Sequence, residues 1–435
     1  MAAEPDVTAI VQPRTGLISR VDQLQTAPGE PAFSIATARM GDIWQTMAGP
    51  RDGDASGGPL MSLDGAGGGL TPDVARIRAI GESLERYCSC VYDDKQFICA
   101  TANELGADAL ALDGIPRCSE QELAHPRCPL VRPDKDAPIR WVRGVSLLDG
   151  RCLWVPAVMV YLQLPYRTDA ERIALRISTG CAAHVTYEQA LLSATCEVVE
   201  RDAISLVWLQ RLALPRIDLD CRLAELAPYL ARERKTTIQH YFFDATSDLG
   251  IPTVYSVQVS PGARLATLVM CSTELDPAVA IAKVTRECAS SRLALQRDHP
   301  IPGCWDDYTD VIHGALFMGA PEQAAAFDFL LRGSARRPLS HMPNLATGDP
   351  RRDLARVIEI LRRARMEAVA VDLSADEAIR AGMRAVRVVI PALQPLSFSY
   401  RARYLGHPRL YEAPPRFGFP SHSESALNVY PQPFA

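Results

Sequence analysis

The stretch from Thr186 to Arg211, TYEQALLSATCEVVERDAISLVWLQR, constrains this chain more than any other, because it has a helical period yet carries ionised groups inside a mostly apolar run. On a helical projection Ser193, Glu197, Glu200 and Arg201 share one narrow face. Leu191, Leu192, Val198, Val199, Leu206 and Val207 cover most of the rest. Such a helix is predicted to be largely buried. A carboxylate taken out of water must be paired, protonated or bound to a metal, so two of them one turn apart beside an arginine mark a candidate site. The alternative is an internal ion-pair network that only positions helices.

Two more helices repeat the register. Thr71 is followed at offsets of 4, 8, 11, 14 and 15 by Ala75, Ala79, Glu82, Glu85 and Arg86, and Thr186 at the same offsets by Ala190, Ala194, Glu197, Glu200 and Arg201. Asp276 repeats part of the series with Ala280 and Glu287, and has Ser290 and Ser291 where the second Glu and the Arg would stand. Each copy opens on a residue suited to N-capping, and two have Pro next, so the first glutamate lies at the same depth along each helix. If the helices pack side by side, with small alanines on the facing surfaces, the carboxylates converge. Glu82, Glu85, Glu197, Glu200 and Glu287 then form a hard oxygen-ligand set of the kind that holds Mg2+, an ion that keeps waters and shares its shell with substrate phosphates. ATP or a related phosphate ester is the guest this predicts. Arg86 and Arg201 would neutralise or clamp what the metal does not. At offset 7 stand Arg78, Ser193 and Lys283, read either as phosphate ligands or, for the two cations, as partners of Glu82 and Glu287.

Composition narrows the class. At 435 residues the chain exceeds one typical domain, and 48% apolar and 22% charged residues are ordinary for a globular protein. The net charge of −5 comes from 46 basic and 51 acidic residues spread without long runs, which argues against a nucleic-acid footprint and an anionic-membrane patch. No basic-then-apolar signal opens the sequence and no apolar run approaches the roughly 18 residues of a membrane span, so a cytoplasmic location is expected. Twelve cysteines without a CxxC pair fit reduced thiols. Cys118, His125 and Cys128 lie within eleven residues, but the spacing is not a standard zinc spacing and no fourth ligand follows, so loop cysteines are expected.

Along the chain, residues 1–60 are expected to be an N-terminal arm and surface elements with one short strand, 61–300 a metal- and phosphate-binding core, and 301–435 a C-terminal part ending in a Pro-rich tail. The segment RDGDASGGPLMSLDGAGGGL, residues 51–70, reads as a Gly-rich turn or connector feeding a helix that starts at Thr71-Pro72 and runs to Asp94. Alternating apolar residues around Asp149-Gly150 and around Pro261-Gly262 predict two β-hairpins. A helix from Asp276 to Gln296, one near 321–332 and an amphipathic one in RDLARVIEILRRARM follow, with strands in EAVAVDLS and AVRVVIPAL. The predicted class is mixed α/β, with hairpins and sheets packed on helices.

At these residues the chain resembles the YcaO family, whose members carry paired ExxER helices and use ATP and Mg2+ to activate a peptide amide. The resemblance runs from about residue 61 onward, through GGGLTPDVARIRAIGESLERY, STGCAAHVTYEQALLSATCEVVERDA, LDPAVAIAKVTRECASSR, VRVVIPAL, GHPRLYE at 406–412 and the LN…PQPF tail. With the opening TGLISRV, the layout is most similar to the stand-alone cyclodehydratase subunits of azole-forming peptide clusters, which resemble the streptolysin-type docking subunit.

The resemblance implies an ATP- and Mg2+-dependent cyclodehydratase. It would convert Cys, Ser or Thr of a ribosomally made precursor peptide to thiazoline or oxazoline by phosphorylating the backbone amide oxygen. It further implies a separate ubiquitin-activating-like leader-binding partner protein, a flavin-dependent azoline dehydrogenase downstream, and a homodimer. Metal ligation is assigned to Glu82, Glu85, Glu197, Glu200 and Glu287, and nucleotide contact to Arg78, Arg86, Ser193, Arg201, Lys283 and Ser290. Catalysis is assigned to Arg201, Pro433 and Ala435, the last two because the Pro-rich C-terminus of such members enters the active site. Many members have Gly-Lys-Gly where this chain has Gly67-Gly68-Gly69, Ser at the place of Arg78, Arg at Lys283 and Gln at Ser290. These departures motivate two alternatives, a non-catalytic docking scaffold and a thioamide-forming enzyme with an external sulfur nucleophile.

Overall fold

The computed structural model describes residues 6–41, 62–297 and 299–434. In chain order the elements used below are β1 (Ile18–Leu24), β2 (Ser34–Met40), β3 (Gly65–Gly69), α1 (Pro72–Cys88), β4 (Ile98–Ala100), β5 (Ile139–Ser146), β6 (Cys152–Pro156), β7 (Cys181–His184) and α2 (Tyr187–Gln210). They continue with β8 (Arg216–Asp218), β9 (Gln239–Asp244), β10 (Thr253–Val259), β11 (Thr267–Thr273), α3 (Pro277–Leu295), β12 (Arg336–Pro338), α4 (Pro350–Arg363), β13 (Val369–Asp372), β14 (Arg384–Val389) and α5 (Arg409–Arg416).

Among the described residues the strands form three sheets, so the class is mixed α/β. One is the antiparallel sheet β1-β2-β3; the second runs β4-β5-β13-β14-β7 with β6 on β5; the third runs β11-β10-β9-β8-β12. The two predicted hairpins are β5–β6 and β10–β11, and Gly150 and Gly262 at their turns take φ of +79° each, a region glycine enters without a Cβ penalty. The first hairpin's second strand stops at Pro156 and gives way to a 3-10 turn over Ala157–Met159, so the long apolar run RCLWVPAVMVYLQL is only partly strand.

Helix α2 lies between the second and third sheets, touching β7 and β14 on one side and β11 on the other. That placement explains its all-round apolar pattern: every residue from Val198 to Gln210 except Arg201 is buried. The largest core gathers Trp208, Tyr255, Phe243 and Phe327 between α2 and the third sheet. A second core, with Trp141, Leu153, Val155 and Leu84, sits under the second sheet. Among the described residues no helix is long and apolar enough to cross a membrane.

Several elements differ from their sequence expectation. The N-terminal stretch supplies two strands, β1 and β2, which pair with β3, so residues on both sides of position 60 share one sheet with its own core of Ile18, Ala36, Ala38, Ala75 and Ile80. Helix α1 ends at Cys88, short of Asp94, and the region near 321–332 is a 3-10 segment over Pro321–Phe327 followed by one α-turn over Asp328–Leu331. Residues 65–69 are neither turn nor connector but the strand β3, paired along β2. Glycine is needed there for closeness to α1: a Cβ on Gly67 would lie 2.3 Å from the Ala75 carbonyl oxygen. Residues 51–61 of the glycine-rich stretch, and the terminal Ala435, lie outside the described residues.

Gly67→Ala should therefore lower unfolding stability by about 1–3 kcal/mol, as overpacking does. Gly81→Ala, in open space on α1, should raise it by about 1 kcal/mol through helix propensity. Urea unfolding midpoints check both; equal midpoints for the two variants would contradict the close strand–helix approach.

Candidate active site

The shared register of the three helices starts at their caps. The Thr71 hydroxyl accepts from Val74 N–H, the Thr186 hydroxyl from Gln189 N–H, and the Asp276 carboxylate from Ala278 N–H, with Pro72 and Pro277 at the first helical positions. The helices do not lie side by side as expected; each pair is bridged by a strand. Both α1 and α2 pack on β7, α1 and α3 meet across β3, and α2 and α3 share β11. Across these strands, of which only β3 is built of glycine, Glu85 still feels the charges of Glu197 and Glu82, and Glu200 those of Glu287 and Glu197.

Glu82 accepts from Ala66 N–H of β3 at 2.7 Å and from Arg86 Nη2 at 2.6 Å. Glu197 accepts from Gly180 N–H at 3.3 Å and Arg201 Nη2 at 3.1 Å. Gly180 takes φ of +83°, and a Cβ there would lie 2.3 Å from the Val388 carbonyl oxygen, so only glycine fits at this ligand of Glu197. Glu200 is buried and accepts from Thr273 N–H of β11 at 3.0 Å. Arg201 Nη1 lies 3.1 Å from Glu200 Oε1 without the geometry of a hydrogen bond. Glu287 is held by its neighbour Arg286 at 2.8 Å.

The electrostatics tie these groups into one cluster. Burial, then the charges of Glu197 and Glu82, push the Glu85 carboxyl well above the usual carboxylate range. Burial also raises Glu200 to about 7; Lys283 and Arg201 oppose the rise, while Glu287 and Glu197 add to it. Carboxylates that repel one another out of water, with only part of the charge matched by arginines, are the donor chemistry that a hard divalent cation relieves. Among the described residues no three His, Cys, Asp or Glu side chains already stand in a metal-holding arrangement; the arginines hold the carboxylates instead. The residue types and their mutual repulsion fit Mg2+.

The expected phosphate ligands divide. Arg78 donates to the Gly68 carbonyl at 2.8 Å rather than pairing with Glu82, and burial beside Arg286 lowers its pKa. Lys283 pairs with Glu274 at 2.9 Å, not with Glu287. Arg86 also donates to the Asp64 carbonyl at 2.6 Å. Ser193 is exposed one turn before Glu197. Ser290 faces β3: its Oγ lies 2.9 Å from where a Gly68 Cβ would sit, with Arg286 Cγ at 3.1 Å.

Three charged residues beside this cluster escaped the sequence reading: Glu274, Arg286 and Arg387. Arg387 is buried on β14, donates to the Ile177 carbonyl at 2.7 Å and the Cys181 Sγ at 3.1 Å, and its charge acts on Glu85. An arginine inside the apolar strand AVRVVIPAL is as costly as the charges of α2, and that signal was available. Cys118 and Cys128 are buried with Leu130, Ala402 and Tyr404, while His125 Nδ1 accepts from Arg127 N–H.

The tail lies along α2. Phe434 forms an isolated parallel bridge with Val269 and stacks its ring 4.7 Å from the Arg201 guanidinium, with Pro433 buried beside it. The Trp208 indole N–H donates to the Tyr430 carbonyl at 3.2 Å. Segment 406–412 supplies Arg409, which bonds Asp202 of α2 at 2.8 Å and Asp248 at 2.7 Å in the interior.

A family model described as YcaO cyclodehydratase, ATP- and Mg2+-binding, matches residues 66–394, a span holding all three helices of the cluster. The chain belongs to the YcaO family. The family is described as ATP- and Mg2+-binding, and the cofactors of this chain are ATP and Mg2+. In fold it is similar to a heterocyclase solved in complex with substrate and cofactor (TM-score 0.79, 23% identity), covering 98% of this chain and 56% of that one. It is also similar to YcaO from Methanopyrus kandleri bound with AMPPCP and Mg2+ (TM-score 0.62, 17% identity, 87% of this chain and 86% of that one). A chain of the E. coli microcin synthetase McbBCD complex with pro-MccB17 bound is comparable (TM-score 0.62, 14% identity, 95% and 96%). The chain thus spans little more than half the length of the first of these.

The Asp202–Arg409 pair anchors the C-terminal segment to this YcaO helix. Asp202→Ala leaves a buried guanidinium short of a partner and should cost about 3–5 kcal/mol, whereas Glu412→Ala, at the exposed pair with Arg416, should cost about 0–1 kcal/mol. Chemical denaturation of both variants checks this; a loss below about 1 kcal/mol for Asp202→Ala would remove the anchoring role.

Proposed function

We propose that the chain is an azoline-forming cyclodehydratase acting on a ribosomally made precursor peptide. A Cys, Ser or Thr side chain adds through its sulfur or oxygen to the carbonyl carbon of the preceding residue, the backbone nitrogen and the nucleophile lose their protons, and the former carbonyl oxygen departs as phosphate. The product is a thiazoline or oxazoline. When bound, ATP supplies the phosphoryl group that makes that oxygen a leaving group, and Mg2+ supplies charge that steadies the transfer.

The observation that carries this reading is the cluster itself: Glu85 raised by burial and then by Glu197 and Glu82, and Glu200 raised by burial and then by Glu287 and Glu197 against Lys283 and Arg201. Glu82, Glu85, Glu197, Glu200 and Glu287 are the residues we assign to Mg2+ and through it to the phosphates. Arg201 pairs with both Glu197 and Glu200, and its Nη1, buried beside Glu200 without a hydrogen bond, is the donor we assign to a phosphoryl oxygen. Arg86 orients Glu82. Arg78, Lys283, Ser193 and Ser290 are assigned to the nucleotide periphery, joined by Arg286 in the space left by Gly68. Pro433 and Ala435 are assigned to the tail that closes the site, on the strength of the Phe434–Arg201 stack.

A separate leader-binding protein is part of the proposal, supported by the likeness to a chain of a multi-protein microcin synthetase complex. The altered periphery at Gly68, Arg78, Lys283 and Ser290 favours a second reading, a docking scaffold without turnover. Mixing the chain with its partner, precursor peptide, ATP and Mg2+ should give a mass loss of one water per ring together with phosphate release. Absence of both supports the scaffold; a mass gain for oxygen-to-sulfur exchange supports a thioamide product. Glu197→Gln should abolish turnover while leaving the circular dichroism spectrum intact, and normal turnover in that variant would remove the metal assignment.

A further inference from the structure

Beside Arg201 lies an apolar cleft of about 80 Å3, lined by Leu175, Ile177, Val389 and Leu393 among others. It is bounded by the segment leading into β7, by Val198 and Arg201 of α2, and by the end of β14. The cleft shares a wall with the carboxylate cluster, because Arg201 lines it while binding Glu197, and Arg387 lines it while its charge acts on Glu85. A void of this size holds several waters, or one aliphatic or aromatic side chain.

Two buried polar side chains among the residues that line this cleft, Gln394 and Arg387, each keep one polar atom without a partner. Gln394, 1% exposed, spends its amide N–H groups on the Arg403 and Tyr404 carbonyls, which fixes its orientation and leaves Oε1 without a donor. Arg387, 8% exposed, bonds through Nη1 and leaves Nε without an acceptor. An unpaired buried donor or acceptor costs about 1–3 kcal/mol, so the pair is poised for a ligand that brings one of each. A peptide unit, with its N–H and C=O, is such a ligand, and its side chain is what an apolar cleft takes.

We propose that this cleft is the subsite for the substrate residue whose carbonyl is attacked, its side chain among Leu175, Ile177, Val389 and Leu393 and its backbone bonded by Gln394 and Arg387. The assignment rests on the cyclodehydratase reading above. It makes the chain selective for the residue before the ring-forming Cys, Ser or Thr, with a bulky apolar residue preferred over Gly.

The test uses the full chain with its partner and synthetic acetyl-Xaa-Cys-amide peptides, Xaa being Gly, Leu or Trp. NMR titration gives binding; mass loss with ATP and Mg2+ gives ring formation. The Leu peptide should bind at least tenfold tighter than the Gly peptide, since burying even one methylene discriminates by about tenfold or more. Ile177→Trp, which fills the cleft from a half-buried position, should weaken the Leu peptide at least tenfold and the Gly peptide less than threefold. Ile177→Ala should shift preference from Leu toward Trp, and Gln394→Leu should raise KM for every peptide with a smaller change in kcat. Equal affinity for Gly and Leu peptides, or a ranking that neither Ile177 variant alters, would overturn the subsite even if rings form. The expected binding ranking with no ring formed would instead keep the subsite and remove the cyclodehydratase reading.

Discussion

Arg201 bonds Glu197 with one nitrogen, faces Glu200 with the other and carries the Phe434 ring on its plane, all within a helix whose surroundings are the interior of the protein. Removing charges from water costs several kcal/mol per ion, and the attraction between partners repays it only when geometry is good and other donors complete the shell. Here the other donors are main-chain N–H groups from β7's approach and from β11, at Gly180 and Thr273. The helix can therefore run charged between two sheets only because each sheet presents an N–H at the right depth. Those N–H groups in turn exist only because Gly180 turns with positive φ and β11 ends at the level of Glu200.

The same dependence recurs one layer out. Glu82 takes its N–H from Ala66 on β3, a strand thin enough to bring α1 and α3 toward one another. A chain with side chains at 65, 67 and 69 would hold α1 farther from the sheet and open the cluster. Where the third helix lacks a second glutamate, Glu274 enters from the end of β11 and takes Lys283. The site is thus a junction of strand ends and helix faces rather than a bundle of helices.

Retained carboxylates and an altered periphery are consistent with one another in these terms. Glu82, Glu197 and Glu200 each accept from a main-chain N–H of a neighbouring segment, so losing one of these carboxylates unpairs a donor of the fold. Arg78 and Ser290 reach Gly68 from two helices, where Arg286 takes up room that a residue larger than glycine would claim, while Lys283 turns to Glu274. Substitution there alters the shape of the space without unpairing a buried carboxylate.

Much of this was legible in the residues alone. The α2 helix, its capping Thr186, the two hairpins, the mixed α/β class and the five glutamates at matched offsets follow from period, capping chemistry and the cost of burying charge, all of which are local properties of a sequence. What bridges the helices is not local. Whether GAGGG is a turn or a strand depends on β2 lying beside it. Whether Lys283 pairs with Glu287 or Glu274 depends on where β11 ends, and whether Arg387 is surface or site depends on which sheet face meets α2. The chain on its own decided that ionised groups had to be buried along α2; only the tertiary structure decided which N–H groups, arginines and tail residues would meet them, because those partners lie tens to hundreds of residues away and come together only by packing.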